Sequence, residues 1–524
     1  MSRSRRIRRE EKRLVMKEAK AAVKQEKVAF RVQSPVSRAS LWLTLAFLLP
    51  NLGALACEFV WDDTTEIMKD GPLCHIHSLR HVVQNVWMFW KWSPSEVLVH
   101  YRPVAETLWS ILWAIGGGNT TSSACELRGI EPSKCFAQDM TIPNLFHALL
   151  LVEGLAVVLL LFRFLLTVKI LPRTAFIAAL LFALFPIHTE ATTIATSTEP
   201  LAVALGLGAL IFYYGRRPIP ALLLFALAIL SKENAAAFAA LPLVLPRKDW
   251  RSRDSLLFGA GAGAIIVAAL WIHHALSRIA QISPIGNPIV SGSVVDGLLT
   301  ALWVQCLYVF KTLVPITLSA DYFFGQIPLV KGLEDWRAWA GLILVSGAVF
   351  MALRWREFRA PILAYAILFS STANILFRIE VIMGERLAYA PSIGVALLLA
   401  ILLARSRHWK VAVVVIALVF GVRSIVRNLD WLNEERFVTK MVETAPDSTY
   451  AQYNFGLLRS EKGDDVSAIE AFDRSIAIYP AFCEAYIARG QSLSRLGRQP
   501  EAADSYRRCA RLGIKVVDAN GNPF

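Results

Sequence analysis

The sequence predicts an all-α protein: a polytopic membrane helical bundle of about eleven spans, continued by a C-terminal α-solenoid of helix pairs. Three observations carry that expectation. The 524 residues are 55% hydrophobic, with a mean hydropathy of +0.47. Only 18% are charged, below the roughly 25% usual for soluble domains. The apolar residues fall in long runs separated by short basic or polar clusters, until the chain turns polar and periodic after about residue 427.

The net charge of +14 is concentrated at the N-terminus, where residues 1–32 hold twelve Lys and Arg against four Glu. Directly before an apolar run, such a tail holds the N-terminus in the cytoplasm and touches anionic lipid; nucleic acid is not the expected partner. Residues 1–38 are therefore read as a basic cytoplasmic tail, 39–426 as the membrane domain, and 427–524 as the repeats. The first apolar run, 41–57, ends in "GALAC", which resembles a cleavage site. Its length, close to the ~20 residues a span needs, and the long basic tail favour a retained helix. Seven cysteines are too few for a disulfide scaffold. Cys125 and Cys135 share one polar loop and would pair in an oxidising compartment; two unpaired cysteines are the alternative.

Further apolar runs lie near 143–168, 174–187, 193–214, 218–231, 234–246, 254–274, 337–353, 360–377, 387–404 and 409–425. Between them stand basic clusters: Arg163 to Arg173, "GRRP" (215–218), "RKDWRSR" (247–253), "RWREFR" (354–359) and "RSRHWK" (405–410). The positive-inside rule places all of these on the side of the N-terminal tail. That order holds only if the stretch 296–318, which contains Gln305 and Lys311, is re-entrant or interfacial. With it as a span the count becomes twelve.

On the eleven-span reading the opposite face collects the ionisable residues. Asp62 and Asp63 lie there, in a large first loop (58–142) with Arg102. His188 and Glu190 ("PIHTEATT"), Lys232 and Glu233 ("SKENA"), Asp321 ("LSADY"), and Glu385, Arg386 and Tyr389 ("GERLAYAPS") join them. One such cluster is usually a solvated helix end; six on one face predict a polar cavity at the membrane surface. A set of cations can clamp a phosphate, and a carboxylate can take a proton from a hydroxyl nucleophile. A local Lys232–Glu233 ion pair, and pairing of Glu385 and Arg386 with other residues, are the structural alternatives. His188 and Glu190 could bind a divalent metal, but two ligands without a third are weak support for one; hydrogen bonding in the pocket is expected instead, and no cofactor is required.

The tail repeats itself. Pro446 recurs as Pro480, Gly456 as Gly490, Gly463 as Gly497, Ala468 as Ala502, and Phe472 as Tyr506, each pair 34 residues apart. That is the tetratricopeptide period, with small residues where two helices press together and a large one filling the next groove. Residues 431–446 read as the second helix of a preceding half-repeat. The functional expectation is a concave surface for a protein or peptide; the alternative is a rigid cap.

The order of "FVWDDTTEI" (59–67), "HYRPVAETLW" (100–109), "PIHTEA" (186–191), "LSKENA" (230–235), "LSADY" (318–322) and "GERLAYAPSIG" (384–394), followed by these repeats, resembles one family. It is that of the transmembrane and tetratricopeptide repeat-containing O-mannosyltransferases and their bacterial relatives, within the GT-C glycosyltransferases. The resemblance runs from about residue 40 to about 515. It departs at "ATSTEP" (195–200), where family members tend to carry a Gly-Arg pair.

The resemblance implies a polyprenyl-phosphate-linked sugar as donor (mannose expected), a hydroxyl acceptor (protein Ser or Thr), and inversion on the extracytoplasmic face. One of Asp62 and Asp63 would be the general base. Arg102, Lys232 and Arg386 would hold the donor phosphate, with His188, Glu190, Glu233, Asp321, Glu385 and Tyr389 lining the pocket. The expected location is the bacterial cytoplasmic membrane, or the endoplasmic reticulum membrane in a eukaryote. Three rival classes remain at this point: transfer to a lipid or glycan, a transporter, and a non-catalytic scaffold displaying the repeats. A transporter would place charges near the membrane midplane and often shows repeated spans, neither of which is seen.

Overall fold

The computed structural model describes residues 37–63, 79–87, 101–116, 141–245, 251–276 and 282–513. Most of the basic tail, Cys125 and Cys135, and much of the loop 58–142 lie outside the described residues. Among the described residues every regular element is a helix. The longer ones are α1 (Ser37–Ala56), α2 (Pro103–Ile115), α3 (Thr141–Thr167), α4 (Pro172–Leu184), α5 (Glu199–Tyr214), α6 (Pro218–Ser231), α7 (Arg253–Leu276), α8 (Val294–Leu313) and α9 (Trp336–Arg354). They continue with α10 (Arg356–Phe369), α11 (Ser392–Arg405), α12 (Trp409–Asn428), α13 (Glu434–Thr444), α14 (Thr449–Glu461), α15 (Asp465–Ile478), α16 (Cys483–Arg495) and α17 (Gln499–Arg511).

Six of these are long and apolar enough to cross a membrane; a seventh counts if α4 and the following Pro186–Thr193, bent by 53°, form one span. This is a multi-pass membrane protein. The other apolar runs give shorter elements, and proline sets their limits. Pro103, Pro172, Pro200 and Pro218 each stand in the first turn of a helix, where a missing N–H costs nothing. The run 234–246, read above as a span, is instead a 3₁₀ helix, Glu233–Leu243, with Pro242 inside it. Outward faces stay apolar: Val411, Val414, Val415, Leu418, Val419 and Val422 of α12 are exposed at helical spacing, as a lipid-facing stripe requires.

Two contacts tie the basic clusters together. Arg405 at the end of α11 pairs with Glu357 at the start of α10 at 2.5 Å, and the Arg173 guanidinium sits 5.5 Å from the Trp409 ring. These clusters share one end of the bundle, and the acid-bearing loops occupy the other. Helix α8 meets both length and apolarity criteria for a span, yet its flanks return to one loop. Before it, Gly286 O accepts from Ile382 N at 2.9 Å; after it, Ser319 N donates to Glu385 at 2.7 Å. Phe324 N also donates to Ile285 O at 2.8 Å.

The C-terminal helices stack in pairs, and the 34-residue repeat has a steric cause. A Cβ on Gly456 would lie 2.5 Å from the Phe472 ring, and one on Gly490 2.5 Å from the Tyr506 ring. Gly463 and Gly497 have φ of +77° and +76°, the left-handed turn that glycine adopts without strain. Cys483 and Cys509 form a disulfide across α16 and α17. The first pair is anchored to the membrane part through buried groups. Ser448 caps α14 and donates its hydroxyl to Asp321 at 2.6 Å, and Thr449 N donates to Phe324 O at 3.0 Å. Trp61 packs edge-on against Phe437 and Tyr450, with ring centres 5.3 and 5.6 Å apart.

Candidate active site

Neighbouring acids Asp62 and Asp63 are separated by a twist of the chain. Trp61, held between Phe437 and Tyr450, has φ +59°, an uncommon conformation for a bulky residue. The turn it makes sends Asp63 inward and leaves Asp62 at the surface of the site.

Asp63 is fully buried. Its Oδ2 accepts from Ala195 N at 2.9 Å, and its Oδ1 accepts from Thr196 N and Thr196 Oγ1, both at 2.8 Å. Burial pushes its pKa up to about 7, against the pull of these three donors. Its carboxylate is used up in clasping the first loop to the 194–196 turn. Asp62 instead keeps 39% of its side chain exposed and accepts from Arg386 Nη1 at 3.0 Å.

Arg386 is positioned from several elements. It lies in a 3₁₀ turn, Glu385–Ala388, rather than at the start of a full helix. The Tyr308 hydroxyl of α8 fixes the preceding residue, donating to Gly384 O at 3.1 Å and accepting from Gly384 N at 3.0 Å. Glu190 adds a second hold: its Oε2 accepts from Arg386 N at 3.0 Å, and its Oε1 is 3.3 Å from Nη1.

The other two candidate cations lie in the same electrostatic neighbourhood. Arg102 caps α2 and makes a forked pair with Glu233, at 2.9 and 3.3 Å. Lys232 ends α6 in an extended conformation and reaches Glu199 at 2.8 Å. The local Lys232–Glu233 pair weighed above does not form; the extended Lys232 backbone turns the two side chains to different partners. Burial lowers the Lys232 pKa, with Arg102 and Arg386 adding to the effect and Glu199 and Glu233 opposing it. The charges of Arg102, Lys232 and Arg386 are therefore felt by one another across one site.

The remaining sequence candidates have other partners. Glu385 is fully buried and accepts from Ser319 N at 2.7 Å and the Tyr322 hydroxyl at 2.6 Å, with Arg427 3.4 Å away. Asp321 is buried in the junction with the repeats. His188 bonds the Ser392 hydroxyl at 2.7 Å, deep in the core beside Tyr389, whose ring centre is 4.6 Å away. Since His188 faces Ser392 and Glu190 faces Arg386, the two do not converge on one ligand. Among the described residues no group of three His, Cys, Asp or Glu forms a metal-ligand set.

Glu199 escaped the sequence reading. It stands in "ATSTEP", where an acid before proline reads as an ordinary first-turn helix residue. It is nonetheless 1% exposed, pairs with Lys232 and accepts from Asn234 at 3.3 Å. A buried acid next to apolar helices was the available signal.

Comparison with known proteins adds an independent line. Human protein O-mannosyl-transferase TMTC3 is 22% identical over 519 residues, covering 88% of this chain and 54% of that protein. The Caenorhabditis elegans protein O-mannosyl-transferase F38B6.6 is 25% identical over 320 residues, 59% of this chain and 46% of that protein. Human protein O-mannosyl-transferase TMTC1 is 26% identical over 205 residues, 36% of this chain and 23% of that protein. The chain thus spans about half the length, or less, of the curated relatives it matches. No family model and no solved structure matches it. The curated relatives share one family, the TMTC protein O-mannosyl-transferases, and the chain is similar to them at low identity.

Proposed function

We propose that the protein is a membrane glycosyltransferase that moves a sugar, mannose by kinship, from a polyprenyl-phosphate donor to a Ser or Thr hydroxyl of a protein. The observation that carries this reading is Asp62: a carboxylate open to solvent, in contact with Arg386, at the edge of a site that also gathers Arg102 and Lys232. A base beside a phosphate-binding cation is the arrangement that glycosyl transfer from a sugar phosphate needs.

In this reading Asp62 accepts the proton of the acceptor hydroxyl as its oxygen attacks the anomeric carbon. The bond from that carbon to the phosphate oxygen breaks, and its electron pair leaves with the phosphate. Arg386, Arg102 and Lys232 stabilise the departing charge. Attack opposite the leaving group inverts the sugar carbon. Asp63, fully buried and holding three donors, positions the loop that carries Asp62. The repeats, joined to the membrane part next to Trp61, support presentation of a polypeptide acceptor. The end of the bundle that bears the site and repeats is, by the basic clusters at the other end, the extracytoplasmic one.

The test is transfer from a polyprenyl-phosphate mannose to acceptor peptides by the purified protein. Asp62→Asn should cut the rate by about 10²–10⁴-fold, the worth of a positioned base, without lowering the melting temperature. Near-normal transfer by this variant removes Asp62 from the chemistry and leaves a membrane scaffold as the better account.

A further inference from the structure

Each of the three cations at the site already has a carboxylate partner: Arg386 has Asp62 and Glu190, Lys232 has Glu199, and Arg102 has Glu233. A phosphate group that approaches the Nη1 side of Arg386 therefore competes with carboxylates already in place. Exposure decides which pair can open at low cost. Lys232 and Glu199 are 8% and 1% exposed, and parting a buried pair strands a charge away from water. Glu190 is 4% exposed and grips Arg386 twice, at the backbone N–H and at Nη1. Arg102 and Glu233 are more open but share two bonds. Asp62 holds Nη1 by a single contact and is 39% exposed, so water can take the place of the guanidinium when it lets go.

Resting on the reading above, we infer that Asp62 occupies the phosphate-binding side of Arg386 in the resting enzyme, and that the donor phosphate displaces it. Glu190 stays as the permanent counter-ion that keeps Arg386 aimed. The exchange has a chemical consequence. While Asp62 accepts from Arg386 Nη1, that lone pair is not available to an acceptor hydroxyl. Once Arg386 turns to the phosphate, the lone pairs of Asp62 become available to the acceptor hydroxyl. Donor binding thus arms the base, and the enzyme binds donor before acceptor.

The experiment titrates the full-length purified protein with a short-chain polyprenyl monophosphate. Removing the competing carboxylate should tighten binding, so Asp62→Asn and Asp62→Ala should each bind about 3–10-fold more strongly than wild type at low salt. The gain should vanish when either is combined with Arg386→Gln. Unchanged or weaker binding by both variants overturns the exchange, since an Asp62 that merely oriented Arg386 would give that result. In the wild type, an acceptor peptide with Ala in place of the reactive Ser should inhibit uncompetitively against donor; competitive inhibition overturns the binding order. The two readings fail separately: normal transfer by Asp62→Asn sinks the base, whereas unaltered phosphate affinity sinks the exchange.

Discussion

Glu385 and Arg386 are neighbours in sequence, yet they feed two networks of opposite character. Arg386 joins Asp62 and Glu190 in a site where one pair, Arg386 with Asp62, keeps both members partly open to water, at 27% and 39% exposed. Glu385 joins Arg427, which also reaches Asp430 at 3.0 Å and lies 5.4 Å from the Trp431 ring. There the side chains are 0–9% exposed. The residue types are the same. What differs is access to water, and with it whether a pair can open for a ligand or must stay closed to keep the fold. The lesson is that a count of charged residues at a membrane edge does not identify a site; the exposed half of each pair does.

The sharpest way to break this comparison is to remove one arginine from each network. Arg427→Ala leaves Glu385 and Asp430 buried without their partner, an omission typically worth about 3–5 kcal/mol, and should lower the melting temperature strongly and reduce the yield of folded protein. Arg386→Gln, which keeps a polar group beside buried Glu190, should lower melting less than Arg427→Ala and cut transfer by about 10²–10³-fold, the worth of one group that stabilises a departing charge. Equal thermal losses in the two variants would show that both networks are structural.

A smaller effect is expected where the buried network meets the repeats. Asp321→Asn keeps the shape but weakens the bonds from Ser448 and Phe323 N, a loss of about 1–3 kcal/mol for a buried charged acceptor. Limited proteolysis between 431 and 449 should then release the repeats faster, with binding of the polyprenyl monophosphate unaltered. Loss of that binding as well would mean that the junction and the site act as one unit.

The smallest effect concerns Asp63 and pH. An unfolded Asp titrates near 3.9, whereas burial raises Asp63 to about 7. The folded state then keeps a proton that the unfolded chain has released, so this residue favours folding below about pH 4. Its contribution fades as pH rises through about 7. Wild type should lose a few degrees of melting temperature relative to Asp63→Asn between about pH 4 and 7. A gain over the same range would show that the donors from Ala195 and Thr196 outweigh burial.

The sequence by itself determined the all-α membrane character, through composition and run length, because burial in lipid demands apolar helices wherever the chain crosses. It also determined the 34-residue helix pairs, because Gly456 and Gly490 must admit Phe472 and Tyr506, and that requirement is written as spacing. The residue types of the site were legible for a similar reason: an ionisable group beside hydrocarbon is costly enough to stand out. Their partners were not. Which of two adjacent acids faces the site rests on the twist at Trp61, set by Phe437 and Tyr450 nearly four hundred residues away. That Lys232 turns to Glu199 while Glu233 turns to Arg102 rests on where α2 and α5 begin in space. Local sequence fixes what a side chain can do; only packing between distant helix ends decides which charge it meets and whether water reaches the pair.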